Sequence, residues 1–244
     1  MPVNNAEAWD RHAAGYQAGA RLPTDVAHYG PDIPNEDHLR LIGDLRDKRV
    51  LELGCGGAQC SIAFAKAGAH AFGIDFSSEQ LAFARRLAAK EKVKLELHHG
   101  DLADLAPFRP ASFDVVFSAW AFGYVEDLNR VFRQVHRVLK VGAPLVFSLP
   151  HPAYRMLGAE TASPTIERSY FDRSPIEYVI DGVGFTDFHH TVADIFTGLH
   201  RAGFDTDTIL EPEPLPNTPR SSGWQPAMEL VPRTIIWRAR KLGS

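Results

Sequence analysis

A short glycine-rich segment contains the residues with the clearest chemical pattern in this chain. Within residues 50–60, Glu52 precedes Gly54 and Gly56, and Asp75 ends the next apolar run. Glycine permits a sharp reversal of the backbone and lets a ligand approach where any Cβ would collide. A carboxylate at the end of the following strand can accept hydrogen bonds from both hydroxyls of a ribose. The combination indicates a site for a nucleoside-bearing cofactor.

The spacing of the loop argues against a pyrophosphate in that cofactor. A dinucleotide-binding loop has a third glycine three residues after the second, and here Gln59 takes that place. The loop also lacks the Gly-Lys-Ser/Thr sequence of a phosphate cradle, and no Lys or Arg occurs between Val50 and Lys66. The cofactor is therefore expected to carry no polyphosphate.

Short apolar runs alternate with segments of helical periodicity through the middle of the chain. This alternation is typical of βαβ units around a parallel sheet. The predicted strands are 50–53, 71–75, 94–98, 113–118, 144–149, 207–211 and 234–239, and the predicted helices are 58–67, 77–91, 127–139 and 191–202. Ser77 and Gln80 predict a capping box. In open α/β sheets, ligands bind outside the carboxyl ends of the strands, where Gly54, Asp75 and Asp101 are expected to meet.

The composition bounds the size of the protein and the partners it can have. A chain of 244 residues, 45% of them hydrophobic, is expected to form one globular domain. Its net charge of −4 gives no electrostatic footprint for nucleic acid or for a membrane. The N-terminal stretch lacks the apolar run of a signal peptide, and no segment approaches the roughly 20 apolar residues of a membrane span. We expect a cytoplasmic protein with a small-molecule partner, and a homodimer is left open.

Both cysteines, Cys55 and Cys60, fall within the glycine-rich segment. A disulfide between them would distort the turn, and two cysteines do not complete the paired Cys/His pattern of structural zinc. Reduced thiols that pack as small apolar side chains are therefore expected, and no metal site is predicted.

The segment Glu52-Leu53-Gly54-Cys55-Gly56-Gly57 closely resembles the first motif of the class I S-adenosylmethionine-dependent methyltransferases. Further motifs follow in order up to residue 149, although Val141-Gly142-Ala143 replaces the usual Pro-Gly-Gly turn. The resemblance implies a three-layer, Rossmann-like α/β fold whose seven-stranded sheet is mostly parallel, with helices on both faces and the last strand antiparallel. It also implies methyl transfer from S-adenosyl-L-methionine to an O, N or carboxylate atom of a small metabolite, leaving S-adenosyl-L-homocysteine.

The same resemblance assigns roles along the cofactor. Asp75 would bind the ribose and Phe76 would pack on the adenine, whose edge would contact Asp101 and the amide of Leu102. Glu52 would support the loop and reach the cofactor's amino group through water. The expected cofactor-binding residues are Tyr16, Glu52, Gly54, Gly56, Gln59, Asp75, Phe76, Gln80, Asp101, Leu102, Ser118 and Ala119. For Tyr16, the alternative is a helix that docks only for stability.

Residues beyond the fourth strand are candidates for the acceptor side. Trp120, Tyr124 and Tyr154 are the expected substrate-binding residues, and an ordinary core position is the alternative for Trp120. The segment Ser118-Ala119-Trp120-Ala121 stands where methyltransferases of exocyclic amino groups carry Asn/Asp-Pro-Pro-Tyr/Phe. DNA is therefore disfavoured as the acceptor.

Three histidines are candidate general bases, a role that an acceptor hydroxyl would require. His151 lies in a Leu-Pro-His-Pro segment just beyond the fifth predicted strand. His189 and His190 precede the next helix. Structural roles, in a turn for His151 and at a helix entry for the other two, are the alternatives.

The expected organisation is a single methyltransferase domain over residues 1–244. An N-terminal helical lid (1–45) precedes a cofactor-binding core (46–150), an insertion (151–188) forms an acceptor-side lid, and residues 189–244 complete the sheet. Long insertions in compact domains are more often lids or binding loops than decoration. Two other functions stay open: a non-catalytic S-adenosylmethionine-binding or scaffold protein, and a nicotinamide-dependent oxidoreductase, against which Gln59 argues.

Overall fold

The computed structural model describes residues 4–20, 22–158, 164–216 and 218–243, and their secondary structure follows the predicted alternation. The strands are β1 (Arg49–Leu53), β2 (His70–Asp75), β3 (Glu96–His99), β4 (Val115–Ala119), β5 (Pro144–Pro150), β6 (Ile176–Ile180), β7 (Val183–Asp187), β8 (Phe204–Leu210) and β9 (Thr234–Lys241). The helices are α1 (Asn5–Ala20), α2 (Glu36–Leu39), α3 (Gln59–Lys66), α4 (Ser78–Lys90), α5 (Leu128–Val138) and α6 (Val192–Arg201).

One sheet organises the described chain, with the strand order β3-β2-β1-β4-β5-β9-β8. Strands β1 to β5 are parallel to one another, whereas β9 runs antiparallel to its two neighbours, β5 and β8. The expected seven-stranded, mostly parallel sheet with an antiparallel last strand is thus confirmed. Because β9 is antiparallel, its first residue, Thr234, pairs with Pro150 at the carboxyl end of β5.

Apolar side chains fill both faces of the sheet, as expected for strands covered on both sides. Val146 belongs to the cluster that contains Phe64 of α3, and the next residue, Phe147, belongs to the cluster that contains Phe132 of α5. Successive strand residues point to opposite faces, so the two clusters form separate layers. In the second layer, the rings of Phe147 and Trp237 stack 6.3 Å apart between centroids.

Side-chain caps fix where the helices begin. Asp127 caps α5 by accepting a hydrogen bond from the Arg130 amide, and Thr191 and Asp194 form a complete capping box at α6. At α4, Ser77 accepts from the Gln80 amide, but the Gln80 side chain accepts from Gln17 instead of reaching back. The capping box predicted at this helix is therefore wrong, because the Gln80 side chain accepts from Gln17 and not from the Ser77 amide.

The insertion after β5 is more regular than expected. Strands β6 and β7 form an antiparallel hairpin whose turn residues, Asp181 and Gly182, have φ values of 51° and 77°. Two positive φ values in succession fit the two-residue turn that matches the twist of a hairpin, and Asp-Gly is a favoured sequence for it. Asn5 of α1 exchanges two hydrogen bonds with the backbone of Thr186, which attaches the hairpin to the N-terminal helix.

No helix in the described parts of the chain is both long enough and apolar enough to cross a bilayer.

Candidate functional site

The glycine loop after β1 reverses tightly against the end of β2. The amides of Gly54 and Cys55 both donate to the Ile74 carbonyl, at 2.9 and 3.1 Å. Gly54 and Gly56 adopt φ values of 65° and 51°, a region that residues with a Cβ rarely enter. A Cβ on Gly54 would also collide with the side chain of Ala121, which follows β4. The loop therefore requires glycine for both its conformation and its close packing.

Asp75 holds the loop by its carboxylate at the end of β2. One carboxylate oxygen accepts from the Gly56 amide and the other from the Ser77 amide, both at 2.8 Å. Each carboxylate oxygen has two lone pairs, so these bonds leave acceptor capacity for two further donors. Burial raises the pKa of Asp75 to about 6, although the hydrogen bonds from Ser77 and Gly56 oppose that rise. The geometry fits the predicted contact with a ribose.

Glu52 lies under the loop with only 4% of its surface exposed. One of its carboxylate oxygens accepts from both the amide and the hydroxyl of Ser61, in the first turn of α3. Burial raises the pKa of Glu52 to about 7, and the bonds from Ser61 oppose the shift. The side chain therefore joins β1 to the start of α3, which agrees with its expected supporting role.

Helix α1 covers the loop with a chain of three glutamines. Gln59 donates to Gln17 at 2.6 Å, and Gln17 donates to Gln80 at 2.7 Å. A Cβ on Gly57 would lie 2.6 to 2.8 Å from the Gln17 carboxamide, so this amide packs directly on the loop. Gln17, which was not predicted as a site residue, thus connects two residues that were, Gln59 and Gln80.

An aromatic group anchors the middle of α1. The ring of Trp9 lies 5.1 Å from Tyr16, 5.6 Å from Tyr124 and 5.4 Å from Phe185, between ring centroids. Burial raises the pKa of the Tyr16 phenol to about 12, with a smaller contribution from Cys60. Tyr16, expected at the cofactor, and Tyr124, expected at the acceptor, thus share one cluster.

The residues expected to meet the adenine lie beside the loop at the same edge of the sheet. Asp101 is exposed and accepts from the Ala103 amide at 2.8 Å. Leu102 reaches within 3.5 Å of the point where a Cβ on Gly54 would stand. Phe76 is half-buried, and its carbonyl accepts from His99 at 2.9 Å. Phe76 and Asp101 thus follow the neighbouring strands β2 and β3, and their contact with the adenine stays a prediction.

The side chains at the end of β4 contact two different neighbouring strands. Ser118 is fully buried and donates its hydroxyl to the Leu53 carbonyl at 2.9 Å, which ties β4 to β1 beside Ala119. Trp120 has a φ of 61°, and its indole turns toward the start of β9, where Arg233 lies 4.8 Å from the ring centroid. Ala121, rather than Trp120, covers Gly54.

The three candidate histidines differ in the nitrogen atoms they leave available. The Ala153 amide donates to Nδ1 of His151 at 3.0 Å, so its Nε2 carries the proton and donates to Glu211 at 2.8 Å. Both nitrogens are therefore engaged, and this geometry does not suit the predicted role of His151 as a base. His189 and His190 each donate Nε2–H to a backbone carbonyl, which leaves Nδ1 of each as an acceptor.

A small cavity lies beside those two histidines. Its volume is about 10 Å³, close to the space of one water molecule, and its lining includes Gly123, Arg155, Phe188, His189 and His190. Burial lowers the pKa of both histidines, which keeps the imidazoles neutral near pH 7. Neutral imidazole is the form that accepts a proton.

Polar side chains of the insertion form a network around Asp187. Arg155 forms an ion pair with this buried carboxylate, which also accepts from the Tyr178 hydroxyl at 3.1 Å. The hydroxyls of Tyr178 and Tyr124 are 3.0 Å apart. Tyr154, the third expected substrate-binding residue, instead donates to Gln225 in the C-terminal segment. No spacing pattern predicts Arg155 or Asp187, because the two partners lie 32 residues apart in the chain.

These residues fit a nucleoside that carries no phosphate. The loop offers glycine and carboxylates without a cation, and Asp75 keeps free acceptor positions for hydroxyl donors. Among the residues that the structure describes, no group of three or more His, Cys, Asp or Glu side chains is arranged to hold a metal ion. Both cysteines are buried and free.

Comparison with known proteins points to the same fold and cofactor. A family profile described as "Methyltransferase domain" matches residues 51–147. The chain is 35% identical over 108 residues to a ubiquinone biosynthesis O-methyltransferase of Bordetella avium, a match that covers 44% of this chain and 45% of that protein. It therefore spans less than half of the length of this curated relative.

Two solved structures cover more of the chain. A Mesorhizobium loti protein named as an S-adenosylmethionine-dependent methyltransferase is 29% identical, with a TM-score of 0.70 over 83% of this chain and 94% of that one. A Listeria monocytogenes protein with the same description is 25% identical, with a TM-score of 0.71 over 84% and 94%. Residues 51–147 therefore carry a methyltransferase domain with the fold of S-adenosylmethionine-dependent methyltransferases, as the glycine loop and Asp75 predict.

Proposed function

We propose that this chain transfers the methyl group of S-adenosylmethionine to an oxygen atom of a small molecule. The observation that carries the proposal is the pairing of the glycine loop with Asp75, whose two carboxylate oxygens each keep a free acceptor position. Oxygen is favoured among the acceptor atoms because the Bordetella avium relative is named as an O-methyltransferase. The negative net charge supports a small-molecule acceptor over a nucleic acid.

The cofactor would lie along the carboxyl edge of β1 and β2. Asp75 would hold the ribose, and Asp101 with Leu102 would meet the adenine. The loop at Gly54 and Gly56 would receive the amino acid end. The bound sulfonium compound would supply an already activated methyl group. The protein's own contribution is then to align the acceptor and to exclude water, and alignment alone contributes about 7 to 11 kcal/mol in well-oriented reactions.

Two segments would close the site. In the segment 1–45, Gln17 of α1 lies over the loop, and in the segment 151–188 the hairpin packs against α1 through Phe185 and Thr186. We assign the first segment to the cofactor side and the second to the acceptor side. Free, buried thiols agree with a reducing compartment, so we place the reaction in the cytoplasm.

A hydroxyl acceptor would need a group that removes its proton. We propose His189 or His190 for this role, because each has a free Nδ1, lowered basicity and a place at the small cavity. His151 is the weaker candidate because neither of its nitrogens is free. A base of this kind contributes on the order of 10² to 10⁴ in rate.

Isothermal titration with S-adenosylhomocysteine tests the cofactor part of the proposal. Wild type should bind it, whereas Asp75→Ala should bind at least roughly tenfold more weakly, because the variant loses charge-assisted hydrogen bonds. Asp205→Ala is the matched control, since Asp205 is exposed on β8 at the far edge of the sheet. Equal affinity in wild type and Asp75→Ala would contradict the assignment.

A radiolabelled transfer screen across hydroxylated metabolites tests the reaction itself. Labelled product with at least one acceptor is the expected result. Tight cofactor binding without transfer to any acceptor would support the non-catalytic alternative. Binding of NAD in place of S-adenosylhomocysteine would support the oxidoreductase alternative.

A further inference from the structure

Arg233 lies at the edge of the sheet where an acceptor is expected. It directly precedes β9, and its carbonyl accepts from the His151 amide at 2.8 Å, just past the end of β5. Its guanidinium lies over Trp120, which follows β4. Arg233 therefore stands beyond the carboxyl ends of two neighbouring parallel strands, the place where open α/β sheets bind ligands.

This guanidinium forms no ion pair with a carboxylate of the described residues. In the part of the chain that the structure describes, no Asp or Glu oxygen lies within 4.0 Å of it, whereas Arg155 pairs with Asp187 and Arg220 with Glu229. Its hydrogen bonds run from Nη1 alone, to the Gly223 carbonyl at 3.3 Å and the Met228 sulfur at 3.8 Å. Burial lowers the pKa of Arg233, although the charges of Tyr154 and of the more distant Asp32 oppose the shift. Partly buried cations usually have an anionic partner.

Two further polar groups beside Arg233 are also without partners. The indole N–H of Trp120 and the hydroxyl of Thr234 are buried and make no hydrogen bond in the described structure. Both lie close to Gly30, within 3.2 Å of the point where a Cβ on that glycine would stand. Buried polar groups are normally satisfied, so a cluster of unsatisfied groups beside an unmatched cation indicates an absent partner.

We propose that Arg233 binds a carboxylate of the methyl acceptor, so that the enzyme selects small molecules that carry an acidic group. The inference rests on the proposed function and specifies its substrate class. Nε and Nη2 make no hydrogen bond within the described structure, and a guanidinium can present two N–H groups in parallel to the two oxygens of a carboxylate. The cation–π contact with Trp120, at 4.8 Å from the ring centroid, helps to hold the guanidinium at this place. Arg233 acts as a specificity residue and takes no part in the transfer step.

An NMR titration tests the site without any methyl transfer. The chain has four tryptophans, and a Trp120→Phe variant identifies the indole N–H signal of Trp120 in ¹⁵N-labelled protein. The probe is sodium 4-hydroxyphenylacetate, and its neutral counterpart is 4-hydroxyphenylacetamide, both at constant ionic strength and with the protein saturated with S-adenosylhomocysteine. We expect the acid to move the Trp120 signal saturably and the amide to leave it in place.

Three variants test whether Arg233 binds the carboxylate or only packs against Trp120. Arg233→Gln should bind the acid roughly tenfold more weakly or worse, and Arg233→Lys should fall between it and wild type, because lysine keeps the charge and loses the planar fork. Arg220→Gln is the control: Arg220 also stacks on a tryptophan, Trp224 at 3.8 Å, but already pairs with Glu229. It should bind the acid like wild type. Circular dichroism checks that each variant is folded.

Four results would overturn the proposal. These are no movement of the Trp120 signal with the acid, equal movement with the amide, equal affinity in Arg233→Gln and wild type, or equal weakening in Arg220→Gln. Failure of the reaction is a separate outcome. If wild type binds the acid through Arg233 and transfers no label to any acidic or neutral hydroxyl compound, the methyl-transfer proposal fails while the anion site stands.

Discussion

Asp75 is the residue on which cofactor affinity should depend most clearly on pH. Burial raises its pKa to about 6, so its carboxylate takes up a proton as the pH falls from 7 to 5. A protonated carboxyl is a weaker acceptor than a charged one for the ribose hydroxyls. We therefore expect the affinity for S-adenosylhomocysteine to be constant above pH 7 and to fall below pH 6. Titration calorimetry of Asp75→Asn, which should lack this transition, provides the check; an unchanged pH profile would contradict it.

Glu52 should control how stability depends on pH. Its pKa is raised by burial to about 7, so the folded state favours the neutral form. Its favourable contribution is then fully present below the ordinary glutamate value near 4.3 and is lost as the pH rises through about 7. Glu52→Gln removes that titration while it keeps an acceptor for Ser61. Urea unfolding from pH 5 to 8 should show the variant gaining stability relative to wild type. A parallel pH dependence would refute the assignment.

The histidines make a third prediction at the residue scale. If His189 or His190 accepts the acceptor's proton, replacing that residue by Gln should lower the single-turnover rate by about 10² to 10⁴ with cofactor affinity unchanged. His151→Gln should change the rate by less than about tenfold, because His151 already bonds Ala153 and Glu211. Because burial lowers the pKa of His189 and His190, the rate should hold below pH 6.5 before it declines.

At the scale of elements, a carboxylate of α1 binds the first turn of α4. Asp10 accepts from the Ser77 hydroxyl at 2.6 Å and from the Glu79 amide at 3.1 Å, at the start of α4. Loss of such a cap costs about 1 kcal/mol. Asp10→Ala should therefore destabilise the fold by about that amount and speed amide hydrogen exchange in α1, while β1 and β5 stay protected. Asp25→Ala, at an exposed position, is the control. Unchanged exchange in α1 would show that the Gln17–Gln80 hydrogen bond and the aromatic contacts of Trp9 hold the helix without Asp10.

Elements with a strong period were predictable, and contacts between distant elements were not. The seven strands follow from the alternation of short apolar runs, and helix α5 follows from its 3.6-residue apolar period. The glycine loop was predictable because a sharp turn at Gly54 and Gly56 requires glycine, and Asp75 was predictable because it ends the next strand. Hairpin β6–β7 was missed, although Asp181-Gly182 between alternating apolar residues was the available signal. The place of Gln17 over Gly57, and of Arg233 over Trp120, depends on tertiary packing, which local spacing does not encode.

For the whole molecule, cofactor binding should appear as thermal stabilisation. A ligand that binds only the folded state at 100 times its dissociation constant adds about 2.7 kcal/mol. In a domain of 150–250 residues, each kcal/mol moves the melting temperature by about 2–4 °C, so the expected rise is roughly 5–11 °C. Differential scanning calorimetry with S-adenosylhomocysteine measures it. Gly54→Ala should abolish the rise, since the new methyl group would meet Ala121. A comparable rise with NAD would argue for a different cofactor.

The insertion of β9 between β5 and β8 affects how the protein can be made. A ribosome delivers α1 and strands β1 to β5 before it delivers β9, yet β9 pairs with β5 inside the sheet. Until β9 has emerged and threaded beside β5, the nascent chain lacks both the strand next to β5 and the guanidinium that follows Pro232. The residues that we assign to the cofactor, from α1 to β4, are therefore synthesised before the guanidinium that we assign to the choice of acceptor.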